Sequence, residues 1–295
     1  MSRRGKRYDT EPHLNIKKVI AVIIAIAIVV LSVLMFKNML TKGKETGRIM
    51  STSYFALYTD NKWGIIDSSG NEVISPSYQE MIKVPNNKKD IFLCTYNINT
   101  ETGEYKTKAL NSKNEEIFTE YTGIEALENF DKKNNLWYED NVLKVEKNGK
   151  YGLIDLTGKQ IIPCEYDDIT VVTGVKNSIK VQKDDKYGLV TTEGTMIIEP
   201  TCSDILNLGD DYKDGYIIAD DDNKYGVVDY TGTKILEPKF EKIEQIEGKS
   251  LFVAVNNNKQ ELVNTSGEAV LTDGYDNIKQ ILSGTTKGIV FEKER

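Results

Sequence analysis

A chain of 295 residues has room for a sizeable core, and its six prolines and moderate aromatic content exclude a low-complexity or disordered polypeptide. The net charge of −7 hides an asymmetry: residues 1–48 carry ten Lys and Arg against three acids, so the remainder holds 28 basic and 42 acidic residues, a net of −14. That acidic surface repels phosphate backbones and argues against a nucleic-acid partner. The single histidine, His13, lies near the N-terminus, which excludes His-based catalysis further along. Cys94, Cys164 and Cys202 show no CxxC spacing and an odd count, so neither a disulfide framework nor a zinc site is expected.

In chain order, residues 1–18 are a basic tail. Val19–Phe36 is an uncharged apolar run of eighteen residues, long enough with slight flanks for a transmembrane helix. It lacks the polar stripe of a buried core helix. It also exceeds the apolar region of a secretory signal, and no small-x-small site follows it. Six basic residues precede the run (Arg3, Arg4, Lys6, Arg7, Lys17, Lys18) and four follow (Lys37, Lys42, Lys44, Arg48). The positive-inside bias then predicts a cytoplasmic N-terminus, with the C-terminal domain outside the cell membrane. Residues 37–52 read as a stalk, and residues 53–295 as one domain of β repeats.

The repeat is plainest at Lys150-Tyr151-Gly152-Leu153-Ile154-Asp155-Leu156-Thr157-Gly158. With its aromatic as marker, six copies start at Trp63, Thr107, Tyr151, Tyr187, Tyr225 and Gln260, spaced 35 to 44 residues apart. Seven residues on come Gly70, Asn114, Gly158, Gly194, Gly232 and Gly267; fifteen on come Tyr78, Tyr166, Cys202, Phe240 and Tyr275; eighteen on come Met81, Ile169, Ile205, Ile243 and Ile278. Each copy predicts two strands joined by an Asp/Asn-to-Gly turn, the glycine or Asn114 supplying a left-handed residue. Glycine directly after the marker (Gly64, Gly152, Gly188, Gly226) predicts close approach of a neighbouring strand or ring. Pro76, Pro163, Pro200 and Pro238 are expected to end the second strand. A third strand around the Met/Ile position and a fourth such as Ile179–Lys183 complete the copy. The second copy predicts a hairpin from Leu93–Ile98 and Glu104–Leu110. The third copy is preceded by an insertion, Asn129–Tyr138.

The motif Lys-Trp/Tyr-Gly-x-x-Asp-x-x-Gly with Pro-x-Tyr/Phe beyond resembles the bacterial WG-repeat (KWG-repeat) family over residues 53–282, most clearly at Trp63, Tyr151 and Tyr225. The resemblance implies an all-β repeat protein, often associated with the cell envelope, and implies no shared catalytic residues. Four strands per copy favour a β-propeller of about six blades, with Lys287–Glu292 completing the first. An open array of hairpin units is the alternative.

Asp67, Asp155 and Asp229 are expected to cap turns rather than bind metal, and Asp210, Asp211, Asp214 and Asp220–Asp222 to be solvated loop residues, with a weak cation site as the rival. The repeated aromatics read as core. Phe130, Trp137 and Tyr138, outside the repeat register, are the candidate ligand contacts. No catalytic residue, metal or cofactor is expected. The favoured function is a membrane-anchored extracytoplasmic module that binds or scaffolds an envelope protein or glycan. A carboxylate-dependent hydrolase or lyase and a passive spacer are the alternatives.

Overall fold

The structure is a computed structural model and describes residues 54–86, 89–246, 251–271, 274–283 and 286–293. They belong to one compact unit, Thr52–Arg295. The expected tail, transmembrane run and stalk lie outside the described residues; among the described residues no helix is long and apolar enough to cross a membrane.

The fold is all-β: the described residues form seven small antiparallel sheets and one 3-10 turn, Tyr212–Asp214. The first sheet contains β1 (Tyr54–Thr59), β2 (Lys62–Asp67) and β3 (Glu72–Tyr78), and the second β4 (Phe92–Tyr96), β5 (Lys106–Leu110) and β6 (Glu116–Ile117). The third contains β7 (Gly123–Phe130), β8 (Leu136–Lys147), β9 (Lys150–Asp155) and β10 (Gln160–Tyr166). The fourth contains β11 (Asp168–Val171), β12 (Ile179–Lys183), β13 (Lys186–Val190) and β14 (Met196–Cys202). The fifth contains β15 (Asp204–Asn207), β16 (Tyr216–Ala219), β17 (Tyr225–Val228) and β18 (Lys234–Phe240). β19 (Lys242–Gln245), β20 (Leu251–Asn256) and β21 (Lys259–Asn264) make the sixth, and β22 (Asn277–Ser283) with β23 (Thr286–Glu292) the seventh.

Each sequence copy straddles two sheets. The marker strand β9 and the proline strand β10 close the third sheet, whereas the next two strands of that copy, β11 and β12, open the fourth. This stagger makes six copies yield seven sheets. It also ties neighbours covalently, and apolar side chains fill each seam. Six buried clusters each lie between sheets consecutive in the chain, from Ile65, Ile74, Phe92 and Leu110 at one end to Ile246, Leu262 and Ile278 at the other.

The turn prediction holds at all six copies. The side chain of Asp155 accepts from Thr157 N at 2.8 Å and Lys159 N at 3.0 Å. Asp67, Asn111, Thr191, Asp229 and Asn264 accept from the matching amides of their own turns. Asn114 sits at φ 61°, beside Gly158 at 89°. The glycine after the marker faces a neighbouring strand: a Cβ on Gly152 would lie 2.6 Å from Ile162 O and 2.8 Å from Cys164 N.

Three expectations need correction. Pro163 and its counterparts lie inside β10, β3, β14 and β18 rather than ending them. These are edge strands with an irregular register at the proline, so its missing N–H costs no ladder bond. The third strand expected around Met81 is reduced to the single bridge Lys83↔Leu93, and Ile82, at 3% exposure, takes the buried place while Met81 is 50% exposed, because the first copy carries one extra residue there. Lys287–Glu292 pairs with Asn277–Ser283 in the seventh sheet and not with the first.

Candidate functional site

The second copy departs furthest from the repeat. Thr107 stands where four of the six copies carry an aromatic, and Lys108 where they carry glycine; the terminal copy, with Gln260-Glu261, is the other exception. Without the glycine the strand that follows, β6, is reduced to Glu116–Ile117 and pairs with β5 at two positions only. The seam between the second and third sheets keeps its buried cluster, but without the ring its rim beside Thr107 is left open. Thr107 uses its hydroxyl to accept from Ile124 N at 2.8 Å, tying β5 to β7. Two cavities flank this tie, one of about 450 Å³ and one of about 170 Å³, and Tyr105, Thr107 and Glu125 line both.

The larger cavity is an amphipathic groove. Leu93, Ile98, Ile124 and Ala126 give it an apolar floor, with Met81, Leu136 and Tyr138 along its sides. Exposed large apolar side chains are few in the described residues, yet Met81, Leu136 at 47% and Tyr105 at 53% gather round this one groove. Glu80, Glu125 and Glu128 supply carboxylates against one ammonium, Lys83. Burial works against the Lys83 charge, but the hydrogen bond and field of Glu128, 2.6 Å away, lift its pKa above the ordinary value. Tyr105 donates to Glu125 Oε1 at 3.1 Å, and the carboxylate charge raises the phenol pKa. Burial, then Glu128, raises that of Tyr138.

The three predicted contact residues separate. Tyr138 lines the groove, paired across the hairpin with Glu128. Trp137, on the opposite face of β8, donates from Nε1 to Glu139 at 3.3 Å, and Lys176 Nζ lies 5.9 Å from its ring. Phe130 is 41% exposed at the hairpin tip opposite Leu136 and lies outside the groove lining.

Behind Trp137 lies a buried polar cluster. Asn129, with no exposed surface, donates to Glu139 Oε1, Val172 O and Val175 O at 3.0–3.2 Å and accepts from Gly174 N and Phe130 N at 2.8 Å. Glu139 also accepts from Asn177 N at 3.0 Å. The insertion therefore clasps the β11–β12 loop; it is not a free binding loop. Sequence reasoning passed over Glu80, Glu125, Glu128, Met81 and Tyr105. The missing marker aromatic at Thr107 was the signal that could have found them.

Most of the acidic loop residues have partners, within the loop or on a neighbouring element. Asp220 caps its own turn, Asp221 pairs with Lys186, Asp210 lies 2.8 Å from Lys132, and Asp211 with Asp214 caps the 3-10 turn. No group of three or more metal-ligating side chains occurs among the described residues. Cys94, Cys164 and Cys202 are free thiols, and burial pushes Cys94 up to about 11.

The strands and seams define an all-β repeat protein of small antiparallel sheets. The family described as WG containing repeat matches residues 63–87, 151–187, 187–225 and 225–259. Those stretches are the copies whose marker aromatic is intact. No curated protein matches the chain significantly. Solved structures similar to it include one titled crystal structure of the eukaryotic initiation factor (10% identity, 81% of this chain and 67% of that one, TM-score 0.35). Others are the AfRom2 CNH domain (11%, 83% and 89%, TM-score 0.30) and the WD40 beta propeller domain of Doa1 (10%, 77% and 76%, TM-score 0.26). With TM-scores this low, the architecture rests on the strand pairing itself.

Proposed function

We propose that this chain is a WG-repeat protein of the cell envelope, held in the membrane by Val19–Phe36, whose extracytoplasmic β domain binds a protein partner in the groove between its second and third sheets. The observation that carries this reading is the groove's position. It opens at Thr107, the internal copy without a marker aromatic, and exposed apolar side chains gather there beside carboxylates. Elsewhere the motif residues are accounted for by turns, bulges and packing. Loops and irregular places on a rigid frame are where binding tends to reside. The staggered four-stranded unit is also the kind of module from which propeller blades are built, and on this reading the sheets succeed one another as blades do.

Membrane-impermeant thiol labelling of intact cells tests the placement. Lys113→Cys, in an exposed turn, is expected to label from outside while Ser2→Cys labels only after permeabilisation. The reverse pattern would refute the orientation.

A further inference from the structure

We propose, on the basis that the groove is the binding site, that its occupant is an extended segment of a partner protein with alternating basic and aliphatic side chains, docked as an added strand on the open edge of β4. In the fourth, fifth and sixth sheets the first strand pairs with the second over four consecutive positions. In the second sheet that pairing is reduced to Lys83↔Leu93. Lys83 and Leu93 exchange both backbone hydrogen bonds, at 3.0 and 2.9 Å. In an antiparallel ladder the next residue to present its N–H and C=O on the same side lies two positions along, which is Thr95. Met81, the residue that would face Thr95, is turned outward and half exposed. The vacated edge at Thr95 opens into the groove.

Strand addition draws affinity from the main chain and specificity from alternate side chains. Here alternate side chains of an added segment meet two kinds of wall. Met81 and Leu136 offer aliphatic contact, and Glu80, Glu125 and Glu128 offer charge that Lys83 only partly offsets. The net charge of −14 over residues 49–295 favours the approach of a cationic segment.

The test is fluorescence anisotropy on the full chain in nanodiscs, with a labelled short peptide of alternating Lys and Leu as probe. Its comparators are the Glu–Leu peptide and a Lys–Leu peptide N-methylated at alternate backbone nitrogens. The Lys–Leu probe should bind, and both comparators should bind weakly. The pair Glu80→Gln with Glu125→Gln should weaken the probe roughly tenfold or more. Thr95→Pro should do the same; because that N–H serves no ladder bond to β5, circular dichroism should show the fold retained. Equal binding to wild type and the Gln pair, or equal binding of the N-methylated peptide, would overturn the proposal, and because the second comparison needs no variant it survives any folding defect. If instead the Glu–Leu peptide bound and lost affinity in Leu136→Asp, the basic partner class would be wrong while the groove remained a binding site. If no peptide bound, strand addition would be refuted, and the groove itself would then be decided by cross-linking from Met81 and Leu136.

Discussion

Asp155 shows how a single residue is used here. Its carboxylate is a turn cap, and the hydrogen bonds from Thr157 and then Lys159 hold its pKa below the usual carboxylate range. Two copies use Asn in the same place, Asn111 and Asn264. Asp155→Asn should therefore keep the cap and stay within about 0.5 kcal/mol of wild type at pH 7, whereas Asp155→Ala should lose about 1 kcal/mol in urea unfolding. A depressed carboxylate stabilises the fold above its unfolded-state pKa, and that stability is lost as pH falls through the folded-state pKa. Wild type should thus lose more stability than Asp155→Asn on acidification from pH 5 towards 2, roughly across the carboxylate range. Gly152 gives the steric counterpart. A methyl group there meets Ile162 O at 2.6 Å, so Gly152→Ala should cost about 1–3 kcal/mol. Gly288→Ala, where nothing lies within 4 Å, should be close to neutral. These positions were legible in the sequence because turn and close-approach constraints act locally and recur in every copy. Met81 was not: one extra residue between Tyr78 and Ile82 exchanges the buried and exposed faces, and fixed offsets do not reveal that exchange.

At the scale of elements, the β7–β8 hairpin carries the sharpest contrast between sequence and structure. Its aromatics read as a binding loop, yet Asn129 and Glu139 bury a polar cluster that fixes the β11–β12 loop. Asn129→Ala would strip partners from two carbonyls and the Gly174 amide. It should cost about 2–4 kcal/mol, since buried polar groups left unpaired are expensive. Hydrogen exchange should quicken across residues 172–178 ahead of the rest of the domain. Trp137→Phe keeps the ring and removes one N–H donor, so about 1 kcal/mol is expected. These long-range partners, 43 to 46 residues apart, leave no mark in local composition. The lysine before three of the markers is similar: Lys150 pairs with Asp167, Lys224 with Glu241 and Lys259 with Asp276, pairs visible only once the strands are aligned. The proline strands show the same limit, because an edge position and a bulge belong to the sheet and not to the strand.

For the whole described domain, stability is the sum of seams between consecutive sheets, as in other repeat arrays. The seventh sheet shares one such seam and has two strands, so its amides should exchange before those of the third, fourth and fifth sheets, a difference readable by native-state hydrogen exchange. Periodicity and turn chemistry made the all-β repeat legible, but the stagger of copies across sheets and the groove at Thr107 required the pairing. The groove lies at the one internal copy that lacks the marker aromatic and its glycine. The most direct measurement of that claim is site-specific photocross-linking of the full chain in its own membrane. The photoreactive residue is placed in turn at Met81, Leu136, Phe55 and Val270, four exposed apolar positions of which only the first two line the groove. Adducts from Met81 and Leu136 that the Lys–Leu peptide suppresses, with none from Phe55 or Val270, are the expected result; adducts confined to Phe55 or Val270 would contradict it.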